Sequence, residues 1–149
     1  MIYLAAPLFS AREREFNVRL KLLIPYPVYL PQEDGRLITD LLAEGVELNS
    51  AVRTIHQNDI QALCRSDVMV AVLDGAHVDS GVAFEIGYFH ALGKPIIGLH
   101  TDSRTELSFG HNPMITGSIG IIVRNEIALL YTLKEMKSAG GISEPKTRR

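Results

Sequence analysis

Short apolar runs alternate with stretches of helical periodicity along almost the entire 149-residue chain. Uninterrupted apolar runs are typical of strands covered on both faces, and they predict strands over 1–6, 28–30, 68–73, 95–99 and 119–123. Apolar residues at three- and four-residue spacing predict helices over 11–23, from 49 or 50 to 64, over 81–93 and over 125–137. This alternation predicts an α/β fold, a single-domain flavodoxin-like three-layer sandwich with a five-stranded parallel sheet.

Polar residues at the predicted helix starts support these boundaries. Ser10 and Asn125 are expected to cap the first and last helices, and Asn49 or Ser50 the helix before the central strand. The polar segment 100–116 is expected to form a long functional loop with one helical turn. We therefore expect one domain over 1–139 and a frayed tail over 140–149.

Composition and charge restrict the cellular setting and the partners. The net charge of −2 argues against a nucleic acid polymer or an anionic membrane as partner. No apolar segment reaches the ~18 residues that span a bilayer, and the N-terminus leads directly into a strand without a targeting leader. The single cysteine, Cys64, is expected to be a buried structural thiol in a cytoplasmic protein.

Candidate chemistry is concentrated after the central strand, on the helix that begins near residue 81. Val82, Ile86 and Phe89 share one face of this helix. Glu85 lies about 60° from the centre of that face. A carboxylate beside an apolar face, just past a buried strand, occupies the edge where open α/β sheets bind ligands. Gly81 leaves room for a ligand beside Glu85.

Two further acids are placed to join Glu85. Asp79 lies in the preceding loop, and Asp59 lies on the preceding predicted helix. Taken singly, each acid has an ordinary explanation: a helix cap for Asp79, a helix-dipole partner for Asp59 and an ion pair for Glu85. Three acids converging on one sheet edge instead indicate a site. Tyr3, on the first strand, is either a core residue or a hydroxyl partner of Glu85.

Common nucleotide-binding and catalytic motifs are absent. A-A-P-L-F-S follows the first strand where a glycine-rich dinucleotide fingerprint would stand, and neither a G-K-[ST] loop nor a G-x-S-x-G elbow occurs. The five histidines lack ligand spacing, so each is expected in a loop or at the surface, and no metal site is expected. Asn112, which precedes Pro113, has the ordinary explanation of a turn residue.

Four segments together resemble the nucleoside 2-deoxyribosyltransferase family. They are I-Y-L-A-A-P-L-F from residue 2, Asn58-Asp59-Ile60, D-S-G-V-A-F-E-I-G-Y from residue 79 and Asn112-Pro113-Met114. The resemblance covers nearly the whole chain and implies a doubly wound flavodoxin-like fold. It also implies transfer of 2-deoxyribose from one nucleobase to another by double displacement, without a cofactor.

The resemblance implies a role for each candidate residue. Glu85 would be the nucleophile, Tyr3 would hold it in place, and Asp59 would handle the proton on the base. Asp79 would hydrogen-bond the sugar hydroxyl. Asn112 would reach the 5′-hydroxyl in the active site of a neighbouring subunit, so the enzyme would be a dimer-based homo-oligomer, for example a hexamer. The matching motifs add three substrate-binding candidates: Phe9, Gly81 and Met114. The implied partners are a deoxyribonucleoside and a free nucleobase.

Two other functions fit the same fold. A related hydrolase cleaves deoxynucleoside 5′-monophosphates, but members of that group carry a Ser/Arg/Gly-rich phosphate loop and a serine in place of Asp79. A carboxylate there would repel a phosphate. The other alternative is a non-catalytic nucleotide sensor in which Glu85 only recognises a ribose hydroxyl. Base specificity, subunit number, the balance of transfer and hydrolysis, and the base-pocket residues within 32–47 are left open by the sequence.

Overall fold

Five parallel strands form the centre of the computed structural model, which describes residues 1–108 and 110–142. The strands are β1 (Ile2–Ala5), β2 (Val28–Tyr29), β3 (Val68–Val72), β4 (Ile96–Leu99) and β5 (Ile121–Val123). Their order across the sheet is β2-β1-β3-β4-β5. The chain moves from β1 to one edge of the sheet and then from β3 to the other edge, so its winding reverses between β1 and β3. This strand order confirms the predicted flavodoxin-like α/β fold.

Helices connect the strands and cover both faces of the sheet. They are α1 (Ala11–Leu23), α2 (Pro31–Asp34), α3 (Ile38–Ala43), α4 (Leu48–Arg65), α5 (Ser80–Ala91), α6 (Pro113–Thr116) and α7 (Glu126–Ser138). Ser10 caps α1 through a capping box with Glu13, and Asn125 caps α7, as predicted. The single turn α6 is the helical turn expected within 100–116.

Alternate strand side chains enter two separate apolar layers. On one face, Leu4 packs in a layer with Leu20 of α1 and Leu129 of α7. On the other face, Tyr3 packs in a layer with Ile86 of α5. Because successive side chains of a strand point to opposite faces, the tyrosine at position 3 necessarily faces the helix that carries Glu85.

The start of α4 differs from the prediction. Its N-cap is Glu47, whose carboxylate accepts hydrogen bonds from the backbone N–H groups of Asn49 at 2.9 Å and Ser50 at 3.0 Å. The prediction that Asn49 or Ser50 caps this helix is therefore wrong. A glutamate side chain is long enough to reach back over the first turn, so the helix begins earlier, at Leu48.

Three side chains lie in environments that differ from the prediction. Cys64 is exposed, not buried, because Ala62 and Leu63 form the inward face of α4 near its end. Its Sγ lies 3.5 Å from the hydroxyl oxygen of Tyr88. His100 and His111, expected in a loop or at the surface, are buried with exposed fractions of 1% and 5%. Their rings contact each other, which removes both from solvent.

Packing continues beyond residue 139. Ile142 is buried in the same apolar layer as α1 and α7, and its carbonyl accepts a hydrogen bond from Lys137 Nζ. The rest of the predicted tail, 143–149, lies outside the described residues. Within the described part of the chain, no helix is both long and apolar enough to cross a membrane.

Candidate functional site

A tyrosine–glutamate hydrogen bond lies at the centre of the site. Tyr3 is fully buried on β1, and its hydroxyl donates to Oε1 of Glu85 on α5 at 2.5 Å. The second carboxylate oxygen of Glu85, Oε2, accepts no hydrogen bond from any described residue. One oxygen of the carboxylate is therefore held in place, while the other remains available to a substrate.

The protonation of Glu85 depends on its surroundings. Burial raises its pKa to about 8, and the nearby charges of Asp59 and Asp79 also raise it, while the hydrogen bond from Tyr3 lowers it. Burial and the Glu85 carboxylate raise the pKa of Tyr3 far above its ordinary value, so its hydroxyl remains a donor. Glu85 is consequently a carboxyl group that loses its proton near pH 8, far above the range of an ordinary glutamate.

A second tyrosine–acid pair lies beside the first. Tyr29 of β2 is the register partner of Tyr3, and the two rings stack with centroids 5.5 Å apart. The Tyr29 hydroxyl donates to Oδ1 of Asp59 at 3.1 Å. Burial raises the pKa of Asp59, while the hydrogen bond from Tyr29 and the charge of His56 lower it.

Tyr29 was not predicted from the sequence as a site residue. A signal for it exists, because I-Y-L at 2–4 and V-Y-L at 28–30 repeat the same pattern on two strands. Neighbouring parallel strands in register place equivalent residues side by side, so one tyrosine at the site implies the other. Using this signal requires knowing that β1 and β2 pair.

Asp79 is the N-cap of α5. Its Oδ1 accepts hydrogen bonds from the backbone N–H groups of Gly81 at 2.9 Å and Val82 at 3.0 Å. Oδ2 accepts none from the described part of the protein. A Cβ at position 81 would lie 3.1 Å from Asp79 Oδ1, so glycine keeps this cap uncrowded. The capping explanation is confirmed, and it leaves one oxygen free for a ligand.

Phe9, Asn112 and Met114 are surface residues. Phe9 and Met114 are 78% and 79% exposed. Asn112 is the N-cap of α6, and its Oδ1 accepts a hydrogen bond from the backbone N–H of Met114 at 3.0 Å. Among the described residues, Asn112 makes no side-chain hydrogen bond to Tyr3 or Glu85. The structure therefore brings Tyr3, Glu85 and Asp59 together and leaves these three candidates exposed.

A cavity of ≈ 560 Å³ has Asp59 on its wall. Its walls are mainly apolar; they are formed by Leu8, Phe9, Arg14, Pro31, Arg36, Leu37, Ile38, Thr39, Ile55 and Asp59. Four of these residues, 36–39, come from the segment 32–47, in which the base-pocket residues could not be assigned from the sequence. Glu85 is not among the lining residues. The cavity thus offers a ligand a largely apolar space with one carboxyl group, that of Asp59, on its wall.

The two arginines of this cavity already have partners. Arg14 Nη1 donates to the carbonyl oxygen of Leu8 at 3.0 Å. Arg36 Nη2 donates to both carboxylate oxygens of Glu44, at 2.6 and 2.7 Å. In the described residues, no group of three or more His, Cys, Asp or Glu side chains is arranged to hold a metal ion.

A doubly wound α/β protein with half-buried carboxyl groups at the carboxyl edge of its sheet belongs to a class that binds small molecules there. The nucleoside 2-deoxyribosyltransferase family matches residues 2–128, and the chain belongs to this family. It is 29% identical over 128 residues to a nucleoside deoxyribosyltransferase of Limosilactobacillus fermentum, covering 79% of this chain and 75% of that one. It is 35% identical over 108 residues to a Thermofilum pendens protein provisionally named a 2′-deoxynucleoside 5′-phosphate N-hydrolase, covering 70% and 71%.

Solved structures show the same fold. A conserved protein from Enterococcus faecalis V583 superposes with a TM-score of 0.74 at 31% identity, covering 90% of this chain and 96% of that one. A 2-deoxyribosyltransferase from Bacillus psychrosaccharolyticus gives a TM-score of 0.70 at 23% identity, covering 97% of each chain. Family membership supports deoxyribosyl transfer or N-glycosidic hydrolysis on deoxynucleosides and nucleobases.

Proposed function

We propose that this protein exchanges the nucleobase of 2′-deoxyribonucleosides through a covalent deoxyribosyl–Glu85 intermediate. The observation that carries the proposal is the geometry of Glu85. Tyr3 holds Oε1 of this carboxylate, Oε2 is available, and Asp59 lies close enough to influence the pKa of Glu85. A held nucleophile beside a second carboxyl group is the arrangement used for retaining cleavage of glycosidic bonds.

In the first step, Oε2 of Glu85 forms a bond to the anomeric carbon of the deoxyribose. The bond from that carbon to the base nitrogen breaks, and its electron pair leaves with the base. Asp59 supplies the proton that makes the departing base neutral, because a base anion is a poor leaving group. The products of this step are a free nucleobase and a deoxyribosyl ester on Glu85.

In the second step, a nitrogen of the incoming base attacks the anomeric carbon. The ester bond to Glu85 breaks, the carboxylate is regenerated, and the proton of the incoming nitrogen passes to Asp59. Two inversions give net retention of configuration. Attack by water in place of a base gives the side hydrolysis.

In the free protein the shared proton lies on Glu85, because burial and the charge of Asp59 raise its pKa to about 8, so the mechanism requires that this proton moves to Asp59. Glu85 must be ionised to attack, and Asp59 must be protonated to donate. Since burial raises the pKa of both groups, the pair retains one proton into the neutral range. The positive charge that develops on the anomeric carbon in the transition state favours an ionised Glu85 and therefore the form with that proton on Asp59.

We place the nucleobase in the cavity that has Asp59 on its wall. Its volume of ≈ 560 Å³ and its walls from Phe9, Leu37, Ile38 and Ile55 suit a planar heterocycle. A base in this position directs its glycosidic nitrogen toward Asp59, as proton transfer requires. The free oxygen of Asp79 then accepts a hydrogen bond from a hydroxyl of the sugar.

Hydrolysis of deoxynucleoside 5′-monophosphates is the second candidate, supported by the 35% identity to the Thermofilum pendens protein. The carboxylate of Asp79 at the N-terminus of α5 argues against it, because a carboxylate there already occupies the helix end that would attract a phosphate. Arg14 and Arg36 are also engaged by other groups. These contacts favour a neutral nucleoside over a nucleotide.

We further propose that the active enzyme is a cytoplasmic homo-oligomer in nucleoside salvage, with Asn112 of one subunit completing the site of another. The exposure of Asn112, Phe9 and Met114 in a single chain supports this arrangement, since each is available to contact a second copy or its bound nucleoside. The single cysteine suits a reducing compartment.

The experiment is base exchange followed by mass spectrometry. A 2′-deoxynucleoside is incubated with a different free base, and in parallel the 5′-monophosphate is supplied as substrate. We expect the exchanged nucleoside from the wild type and from Glu135→Gln, a matched control on the exposed side of α7, but not from Glu85→Gln. A 2′-deoxy-2′-fluoro nucleoside, whose fluorine destabilises the positive charge that forms when the sugar leaves Glu85, should leave a sugar on the peptide that contains Glu85.

Other outcomes would reject the proposal. Free sugar from the monophosphate without any exchanged nucleoside would identify the hydrolase. Binding without turnover of either substrate would identify a nucleotide sensor. Exchange by Glu85→Gln at the wild-type rate would remove Glu85 as nucleophile.

A further inference from the structure

Two buried histidines lie next to Asn112 and have no role in the mechanism above. His100 follows β4, and His111 directly precedes Asn112. Their rings meet edge to face, with centroids 4.5 Å apart and planes at 61°. His111 Nε2 lies 3.2 Å from His100 Nδ1. The pair thus ties the end of β4 to the residue before Asn112.

The neighbours of His100 determine which ring nitrogens carry protons. His100 Nε2 lies 3.0 Å from the carbonyl oxygen of Arg104, so Nε2 carries the hydrogen. Arg124 Nη1 lies 2.5 Å from His100 Nδ1, and a guanidinium only donates, so Nδ1 is an acceptor. His111 Nε2 is then a second, more distant donor that shares the single lone pair of Nδ1 with Arg124. Both rings are neutral in this arrangement.

His111 is one of two anchors that fix α6. The other is Ile115, which is buried in the apolar layer beside Ile86 of α5. Between these anchors, Asn112 and Met114 are exposed to solvent. The direction in which Asn112 faces is therefore set at one end by His111 and at the other by Ile115. Ile115 therefore gives α6 a contact with the core that does not involve His111.

We propose that His111, held by His100, is a positioning residue that orients Asn112 for sugar binding, and that protonation of His111 releases Asn112. The proposal rests on the proposed function, because it takes from it the contact of Asn112 with the sugar. The ligand affected is the deoxyribose of the nucleoside, and the expected consequence is weaker sugar binding in acid.

Protonation is unfavourable while the ring stays in place. His111 Nδ1 is buried and has no hydrogen-bond partner among the described residues, so a second N–H would find no acceptor. Burial, His100 and Arg124 lower the pKa of His111, against the opposing charges of Glu106 and Asp74. Arg104 near His100 is neutralised by its ion pair with Asp102. The charged ring is therefore expected to move into water.

The first test measures KM and kcat for a deoxynucleoside from about pH 5 to about pH 8. The wild-type KM is expected to rise in acid. His111→Gln, whose amide can donate to His100 but takes up no proton, should keep the neutral-pH KM of the wild type across the range. His111→Phe lacks the hydrogen bond and should raise KM about three- to tenfold at every pH, with a smaller effect on kcat. His90→Gln, exposed on α5, is the control.

A substrate-free measurement separates this inference from the proposed function. Protein labelled with ¹⁵N at its five asparagines and ¹³C at its five histidines is titrated by NMR. The Asn112 amide signal should follow the titration of the His111 ring and should not titrate in His111→Gln. If base exchange fails while this coupled titration is seen, the proposed function is wrong and the positioning role stands.

Two results would overturn the positioning role. One is an Asn112 amide signal that stays constant while the His111 ring titrates. The other is strictly additive effects on KM in the double variant His111→Phe, Asn112→Ala, because a residue that acts through Asn112 has little to lose once Asn112 is gone.

Discussion

At the scale of single residues, the site depends on how Glu85 holds its proton. Burial disfavours its charge, and Tyr3 partly offsets that effect by donating to the ionised form. Asp59 has the same combination of burial and a tyrosine donor, supplied by Tyr29. Glu85 and Asp59 therefore each have their own tyrosine, and the two tyrosines stack on each other. Removing one hydroxyl at a time changes the pKa of one acid directly and that of the other only through their coupling.

Removing the hydroxyl of Tyr3 should change the pH dependence of catalysis. We expect kcat/KM of the wild type to fall above a pH of about 8, where the carboxyl pair loses its last proton. In Tyr3→Phe, Glu85 loses the hydrogen bond that lowers its pKa, so this limb should move to higher pH and the rate at neutral pH should fall. Tyr131→Phe, exposed on α7, should keep the wild-type profile. An unchanged alkaline limb in Tyr3→Phe would contradict the assignment.

Replacing Glu85 should stabilise the fold at alkaline pH. The pKa of Glu85 is raised from an ordinary value of 4.5 to about 8 in the folded state, so folding is favoured below about pH 4.5 and penalised as pH rises through 8. Glu85→Gln should match the wild type in urea unfolding near pH 4.5 and exceed it by ~2–4 kcal/mol near pH 9. Equal stabilities at both pH values would show that Glu85 is not buried as a neutral acid.

At the scale of secondary-structure elements, α5 combines two tasks in one residue. Asp79 caps the helix with one oxygen, and its other oxygen, which accepts no hydrogen bond from the described residues, is the one that we propose for the sugar. Because the cap requires only a side-chain oxygen, the charge of Asp79 is separable from its structural role. Capping and ligand binding were alternative explanations in the sequence, and the geometry makes them compatible.

Substitutions at position 79 should separate these tasks. Asp79→Ala should lower stability by about 0.5–2 kcal/mol through loss of the cap, whereas Asp79→Ser should retain most of it. Both should weaken nucleoside binding. Asp79→Ser should also raise turnover of the 5′-monophosphate relative to the nucleoside, because it removes a negative charge. Urea unfolding and the two-substrate assay measure these effects, and a serine variant that still rejects the monophosphate would show that the Asp79 charge does not set specificity.

At the scale of the whole molecule, the exposed residues decide whether one chain is sufficient. The buried acids belong to a single chain, while Asn112 and Met114 face outward from α6. A site with its nucleophile in one subunit and a sugar contact in the next becomes complete only on assembly.

Co-expression of two impaired variants tests this sharing. Glu85→Gln and Asn112→Ala subunits are produced together and purified as mixed oligomers. In a mixed pair, one of the two sites combines native Glu85 from one subunit with native Asn112 from the other. Random pairing makes roughly half of the pairs mixed, so roughly a quarter of all sites should regain activity. The separate variants mixed without exchange of subunits are the control. Activity no higher than the sum of the parents would show that each site uses its own Asn112.

The apolar runs, helical periodicities and polar capping residues by themselves indicated the five strands, the four long helices, the caps at Ser10 and Asn125 and the place of Glu85 on its helix. Such features depend on neighbours within a few residues, so a single sequence contains them. Only the tertiary structure decided that Tyr3 reaches Glu85 across 82 residues, that Tyr29 pairs with Asp59 across 30, and that His100 and His111 bury each other. These contacts depend on strand order, register and loop path, which bring together residues that no local pattern relates.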